Sequence, residues 1–377
     1  IISPPVLGAA AFLIAEFLKI GYLDVILMAV VPTCLYYLSL LVMVELDVRR
    51  IGMSEVAAAR EQSQWALTRR YGFHFLSLVA IVAFMMWGFS PVLSVFWATV
   101  VAFATSFLRR DTALFSYDLI LGRARGRAPI AAHVFRSPFV RAMEAGSVVT
   151  LTGLGLKFSG IVIDYAGGSL LLTALFTALV VWIVGLAVPV TASYIICAVI
   201  AAPALTKLGV PDFAAHMFIF YYAVLSEVSP PTALSPFAAA AITGGDPYKT
   251  TLQCWKYTVP AFLLPFMFVL DPAGLGLLLM GSTKALANAN WLSIAEVTAT
   301  AAVGIAALAA GFQGWALKRT TALERTLFVV AGFALVYPGL VADLIGFGLV
   351  AAALVLQGLR KDGAAAAGSA PAAKEPP

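Results

Sequence analysis

Charge is the first thing this sequence lacks. Asp, Glu, Lys and Arg supply 11% of its 377 residues, against about 25% in a soluble globular chain. That shortage excludes a cytosolic enzyme, a secreted module and a disordered protein. Cysteine is nearly absent too. Cys34, Cys197 and Cys254 lie far apart in apolar surroundings, which gives neither a disulfide framework nor a zinc pattern and leaves buried small hydrophobes as the reading. His74, His133 and His216 are equally scattered, so no metal site is expected. Paired carboxylates, a nucleophile beside a histidine, and a Walker-type phosphate loop are all missing, so neither a membrane-embedded enzyme nor an ATPase is expected. The net charge of +5 is no argument for nucleic acid, because basic residues in such a chain belong first on cytoplasmic loops.

What is abundant is apolar surface, 62% of the residues, more than one soluble core can hide. A crossing helix needs about 20 mostly apolar residues. Val25–Val44 is one uncharged run of that kind, and Val297–Leu317 is another. Tyr71–Leu108 holds 38 residues without a formal charge and Tyr165–Thr206 holds 42. Each is too long for one crossing at about 1.5 Å per residue. Gly88, Ser90 and Pro91 should turn the first, and Gly185 with Pro189 should interrupt the second. Thr326–Leu359 reads as two helices bent around Pro338 and Gly339. Arginines orient these spans. Arg49, Arg50, Arg60, Arg69 and Arg70 follow the first, and seven arginines lie between Arg109 and Arg141. Both segments belong on the cytoplasmic side. The stretch from Gly363 to Pro377 is Ala/Gly/Pro-rich and reads as a disordered tail. The chain opens at Ile1-Ile2-Ser3-Pro4-Pro5, without methionine and already inside a membrane segment. A fragment lacking its N-terminal part is expected.

A pattern recurs. Ser3-Pro4-Pro5 precedes the small-residue run Val6–Ala15, then Gly21-Tyr22 and Val31-Pro32. Ser229-Pro230-Pro231 precedes Thr232–Ala241, Gly244-Gly245, Tyr248 and Val259-Pro260. The first copy runs into five arginines. The second runs into Pro272–Asn290, where Lys284 is the single basic residue. By the charge rule the copies leave the membrane on opposite sides, as inverted repeats do, with a binding site between them near the midplane. Chance recurrence in a chain with 20 prolines is the competing explanation.

A Pro-Pro pair cannot continue a helix, and carbonyls freed inside a bilayer survive only against protein or a water-filled cavity. Such carbonyls, with nearby hydroxyls, can cage sodium, while an opposing helix N-terminus can receive an anion. Ser3, Ser229, Thr232 and Ser235 stand at these interruptions. Gly185-Leu186-Ala187-Val188-Pro189-Val190-Thr191-Ala192-Ser193 forms a third, where the hydroxyls of Thr191 and Ser193 either meet an ion or cap the next helix. Glu227 lies two residues before Ser229 in an apolar stretch, and either faces a cation or partners a neighbouring helix. Lys256, between Trp255 and Tyr257, reads as an interface anchor with a snorkelling amine.

Gly185–Ala202, Ala202–Pro211 and Phe220–Leu234, with Ser3–Phe12 and Leu151–Lys157, resemble the large membrane subunit of TRAP (tripartite ATP-independent periplasmic) transporters, most nearly the TAXI-type fused permeases. The resemblance covers roughly residues 1–280. It implies an all-α polytopic membrane protein, an inverted-repeat secondary transporter with discontinuous helices and helical hairpins that works in elevator fashion in the bacterial inner membrane. It also implies a sodium-coupled importer of small organic acids, with no cofactor besides the coupling ion. Its partners would be a periplasmic TAXI-type substrate-binding protein and a small membrane subunit fused in the missing N-terminal part. Substrate and sodium contacts carry over to Ser3, Pro4, Pro5, Gly185, Pro189, Thr191, Ser193, Glu227, Ser229, Pro230, Pro231 and Thr232. The expected organisation is residues 1–44 as the end of the first repeat and 45–141 as basic loops around two scaffold helices. Residues 142–271 form the second repeat, 272–360 the C-terminal helices and 361–377 the tail. An ion-coupled carboxylate carrier that needs no binding protein is the alternative.

Overall fold

The computed structural model describes residues 7–52, 72, 76–89, 91–106, 154–230, 233–337 and 339–360. Ser3, Pro4, Pro5, Pro231, Thr232, His74, His133, the Arg109–Arg141 segment and the 361–377 tail lie outside them, and so does the expected meeting of the two Ser-Pro-Pro breaks near the midplane. In chain order the described helices are α1 (Ala9–Leu18), α2 (Tyr22–Ile51), α3 (Leu76–Met86), α4 (Pro91–Ser106), α5 (Leu154–Tyr165), α6 (Leu170–Ala187), α7 (Val190–Thr206) and α8 (Asp212–Leu225). They continue with α9 (Leu234–Thr243), α10 (Pro247–Thr258), α11 (Leu264–Leu270), α12 (Thr283–Ala287), α13 (Trp291–Gln313), α14 (Ala322–Val336) and α15 (Leu340–Leu359). Short 3₁₀ segments occupy Ser226–Val228, Val259–Leu263 and Pro272–Gly281. Four of the described helices (α2, α6, α13 and α15) are long and apolar enough to cross a membrane.

The expected interruptions coincide with real ones. Gly88, with φ 87°, lies in the turn between α3 and α4, as the uncharged run requires. Val188 and Pro189 separate α6 from α7, and α14 gives way to α15 around residues 337–339. The last single span begins at Trp291 rather than Val297, because Asn290 caps the helix there by accepting from the Leu292 amide. Cys34 departs from the expected burial. It is exposed, on a helix long and apolar enough to cross a membrane, while Cys197 is buried.

α6 and α7 form a hairpin. They pack on one another, and the start of α6 at Leu170 meets the end of the other arm at Leu208–Pro211 around a cavity of about 250 Å³. Its tip is therefore the Val188–Pro189 break. α8 packs beside both arms and runs toward that tip, ending in the Ser226–Val228 turn.

α2 runs antiparallel to the segment from α10 to α11. Asp47, near the end of α2, accepts from Gln253 Nε2 at 2.9 Å and from Tyr257 Oη at 2.8 Å in α10. Asp24, near its start, accepts from the Thr283 amide at 2.8 Å, beyond α11. After α11 the chain bends by 97° into Pro272–Gly281. Gly274 makes that bend possible, since a Cβ there would fall 1.7 Å from the Met267 carbonyl oxygen.

A buried polar lock joins these parts. Gln313, at the end of α13, accepts from Lys256 Nζ at 2.5 Å, donates to the Met43 carbonyl at 2.9 Å, and offers its own carbonyl to Arg50 at 3.0 Å. Lys256 is thus a helix-to-helix donor rather than the expected snorkelling anchor, because an acceptor is already within reach. Beyond it, α13, α14 and α15 pack closely through small residues. A Cβ on Gly332 would lie 2.3 Å from Leu308 Cγ, and one on Gly346 2.4 Å from Leu335 Cγ, so helix backbones meet where the side chain is missing.

Candidate functional site

The hairpin tip and the end of α8 build one cleft. Val188 is extended (φ −138°, ψ 155°) and Pro189 follows at φ −57°, ψ 153°, so the chain leaves the helix and re-enters it within two residues. Gly185, Leu186, Ala187, Val188 and Pro189 line one wall, and Glu227 and Phe237 the other, of a cavity of about 320 Å³. Glu227 is half-buried within the Ser226–Val228 turn and is the one charged side chain among the described residues lining this cavity. Within bilayer-spanning structure such a carboxylate is costly unless it has work to do.

Gly185 allows the tight approach of two hydroxyls. A Cβ there would lie 2.4 Å from Ser226 Oγ and 3.4 Å from Ser193 Oγ. Ser226 Oγ donates to the Ala223 carbonyl at 2.7 Å. Ser193 is wholly buried, and its hydroxyl finds no partner beyond the weak thiol of Cys197 one turn on. The capping alternative for this residue fails, since its hydroxyl bonds no backbone amide. The first intrahelical bond of α7 runs from the Ser193 amide to the Pro189 carbonyl at 2.9 Å, so the amides ahead of it have no partner within the helix. Thr191 is half-buried in this same first turn. α9 likewise begins at Ala233 without a side-chain cap.

Ser229, wholly buried, closes the other side. Its hydroxyl donates to the Leu225 carbonyl at 2.9 Å and accepts from Trp182 Nε1 at 2.9 Å. Trp182 in turn stacks on Trp255 of α10, ring centroids 6.2 Å apart and planes within 6°. Pro230 is half-buried in the following turn. Of the expected contacts, Gly185, Pro189, Thr191, Ser193, Glu227, Ser229 and Pro230 gather at the hairpin tip and the end of α8, while Ser235 is exposed. Trp182, Ser226 and Phe237 escaped the sequence reading. Ser226 had a usable signal, a second hydroxyl three residues before Ser229. Trp182 had none, since its partner is 47 positions away.

No three or more His, Cys, Asp or Glu side chains converge to hold a metal ion among the described residues. Apolar spans interrupted around a cleft are a build that membrane carriers use. Residues 1–286 match the family model for the tripartite ATP-independent periplasmic transporter, DctM component, and the chain belongs to that family. No curated protein and no solved structure matches it. DctM components are the large, multi-pass, non-enzymatic permease subunits of the bacterial inner membrane, and they work with a periplasmic binding protein and a small membrane subunit. α13, α14 and α15 lie beyond the matched residues.

Proposed function

We propose that this permease imports small organic acids by sodium symport, taking them from a periplasmic TAXI-type binding protein. The observation that carries the reading is the cleft between the hairpin tip and Glu227. Its single acid suits a cation. The uncapped N-terminus of α7, and that of α9 across the break, suit a carboxylate, since helix N-termini present free amides and partial positive charge. Carbonyls freed at Ser229-Pro230 and the Ser193, Ser226 and Ser229 hydroxyls supply the hard oxygen ligands that sodium prefers.

The antiparallel run of α2 against α10 and α11 supports an inverted repeat, in which the first copy descends where the second ascends. The hairpin α6–α7 with the broken α8–α9 segment would then be the part that moves, elevator-fashion, against a frame that includes α2 and α10.

The decisive experiment is sodium-gradient uptake in vesicles containing the chain with its small subunit and binding protein. Pro230→Ala with Pro231→Ala lets the helix run on, and uptake should disappear while membrane insertion persists. Glu227→Gln should raise the sodium concentration needed for half-maximal uptake. An unaltered sodium response would reassign Glu227 to structure, and undiminished uptake by the double proline variant would overturn the site.

A further inference from the structure

Behind the indole that holds Ser229 lies a separate cavity of about 280 Å³, walled by Leu175, Ala178, Tyr222, Trp255, Leu263 and Trp182 itself. No charged side chain is among the described residues that line it, so those residues offer no partner for a charged headgroup, an ion or an organic acid. Its mouth lies on the outer face of α6. Leu171, Leu175 and Leu179 repeat there every four residues, each about half exposed, on a helix long and apolar enough to cross the membrane. The cavity therefore continues a lipid-facing surface inward. Water has no hydrogen-bond partners to gain in such a space, whereas hydrocarbon chains press against its mouth at all times.

We propose that this groove is a site for a bilayer lipid acyl chain, and that the bound chain braces the Trp182–Trp255 stack and with it the hydrogen bond from Trp182 to Ser229. The same two rings form the groove wall and the stack, and the Nε1 edge of Trp182 donates to Ser229 at the Ser-Pro-Pro break. Occupancy of the groove fixes the Trp182 ring against the offset-stacked geometry that aromatic pairs prefer. An empty groove leaves that ring free to swing off the serine. The effect on transport rests on the reading of the break given under Proposed function. The binding of the chain does not.

The test uses the full chain reconstituted in phosphatidylcholine vesicles whose acyl chains are brominated, which quenches indole emission on contact. The emission lost in Trp182→Phe defines the Trp182 signal, and the remaining signal includes the exposed Trp87, Trp97 and Trp291, which report ordinary lipid contact. Brominated lipid should quench the Trp182 signal in the unaltered chain. Ala178→Phe, which fills the groove from within, should at least halve that quenching, and in the remainder only the share of Trp255, which walls the same groove, should fall. Leu263→Phe fills the groove from the opposite wall and stands in if the first variant does not fold. Equal quenching of Trp182 with the groove open and filled overturns the proposal. So does a Trp182 signal shielded from brominated lipid throughout, which would assign the groove to a protein helix. Sodium-driven uptake is then compared for Ala178→Phe and Ser229→Ala. If Ser229→Ala transports normally, the break is not the binding site, and the quenching result still decides the lipid site.

Discussion

The two copies of the Ser-Pro-Pro pattern start alike and then diverge. α1 and α9 are ten residues each, and each ends at a left-handed residue, Lys19 at φ 54° and Gly244 at φ 72°. Each hands over to a long segment, and Ala9 to Leu234 and Tyr22 to Pro247 are both separations of 225 positions. From there α2 passes unbroken through Pro32 for 30 residues. Its counterpart softens into 3₁₀ geometry around Pro260 and resumes as α11 with Pro265 in its first turn. One proline removes one donor and crowds one carbonyl, which a long helix tolerates between packed neighbours. A second proline five residues on leaves no whole α-turn free of damage, and the tighter 3₁₀ winding takes over. Surroundings differ as well. The inner face of α1 (Ala10, Ala11 and Ile14) is buried in the main core, whereas α9 leaves Ile242 almost fully exposed. Repetition in sequence therefore carries the local breaks and not the packing around them.

That contrast can be broken by giving α2 the second proline it lacks. Tyr37→Pro reproduces the spacing of Pro260 and Pro265 at an exposed position. It should cost about 3 kcal/mol or more, read as a large fall in thermal stability in detergent with loss of helical circular dichroism. Gly185→Ala comes next, since its methyl must displace Ser226. A cost of about 1–3 kcal/mol is expected for such overpacking, with uptake reduced more than protein level, because the hydroxyl cluster at the cleft is what shifts. Pro32→Ala should be the mildest. The helix already continues there, and the substitution only restores a donor, so stability should change by less than about 1 kcal/mol. A fall as large as that of Tyr37→Pro would mean that Pro32 is itself a working break, and the two copies would be more alike than their helices suggest.

Much of the site was legible because its parts announce themselves along the chain. Pro189 in the middle of 42 uncharged residues, and Glu227 in an apolar stretch, both conflict with a simple span, and both line the cleft. The closing of the cleft between the hairpin and the end of α8 was less accessible. It depends on Gly185 accepting Ser226, 41 positions on, and on Trp182 finding Ser229, and no periodicity reports which distant hydroxyl will meet which backbone. Lys256 shows the same limit from the other side. Its aromatic neighbours suggest an interface anchor, yet the acceptor that claims it lies 57 residues away on another helix. Asp47 likewise sits among arginines in sequence while its partners in space are Gln253 and Tyr257.

The position of Gln313 has a practical consequence. The three helices past the family boundary are not an appendage that can be trimmed for convenience, because their first member supplies the side-chain amide that meets the Lys256 ammonium of α10 and the Met43 carbonyl of α2. Cutting the polypeptide at that boundary would remove the acceptor of the half-buried Lys256 ammonium and the Gln313 contact that ties α10 to α2, a penalty that falls on α2 and α10 and not on the severed end. Any shortened version intended for binding studies should therefore retain the chain at least through Gln313.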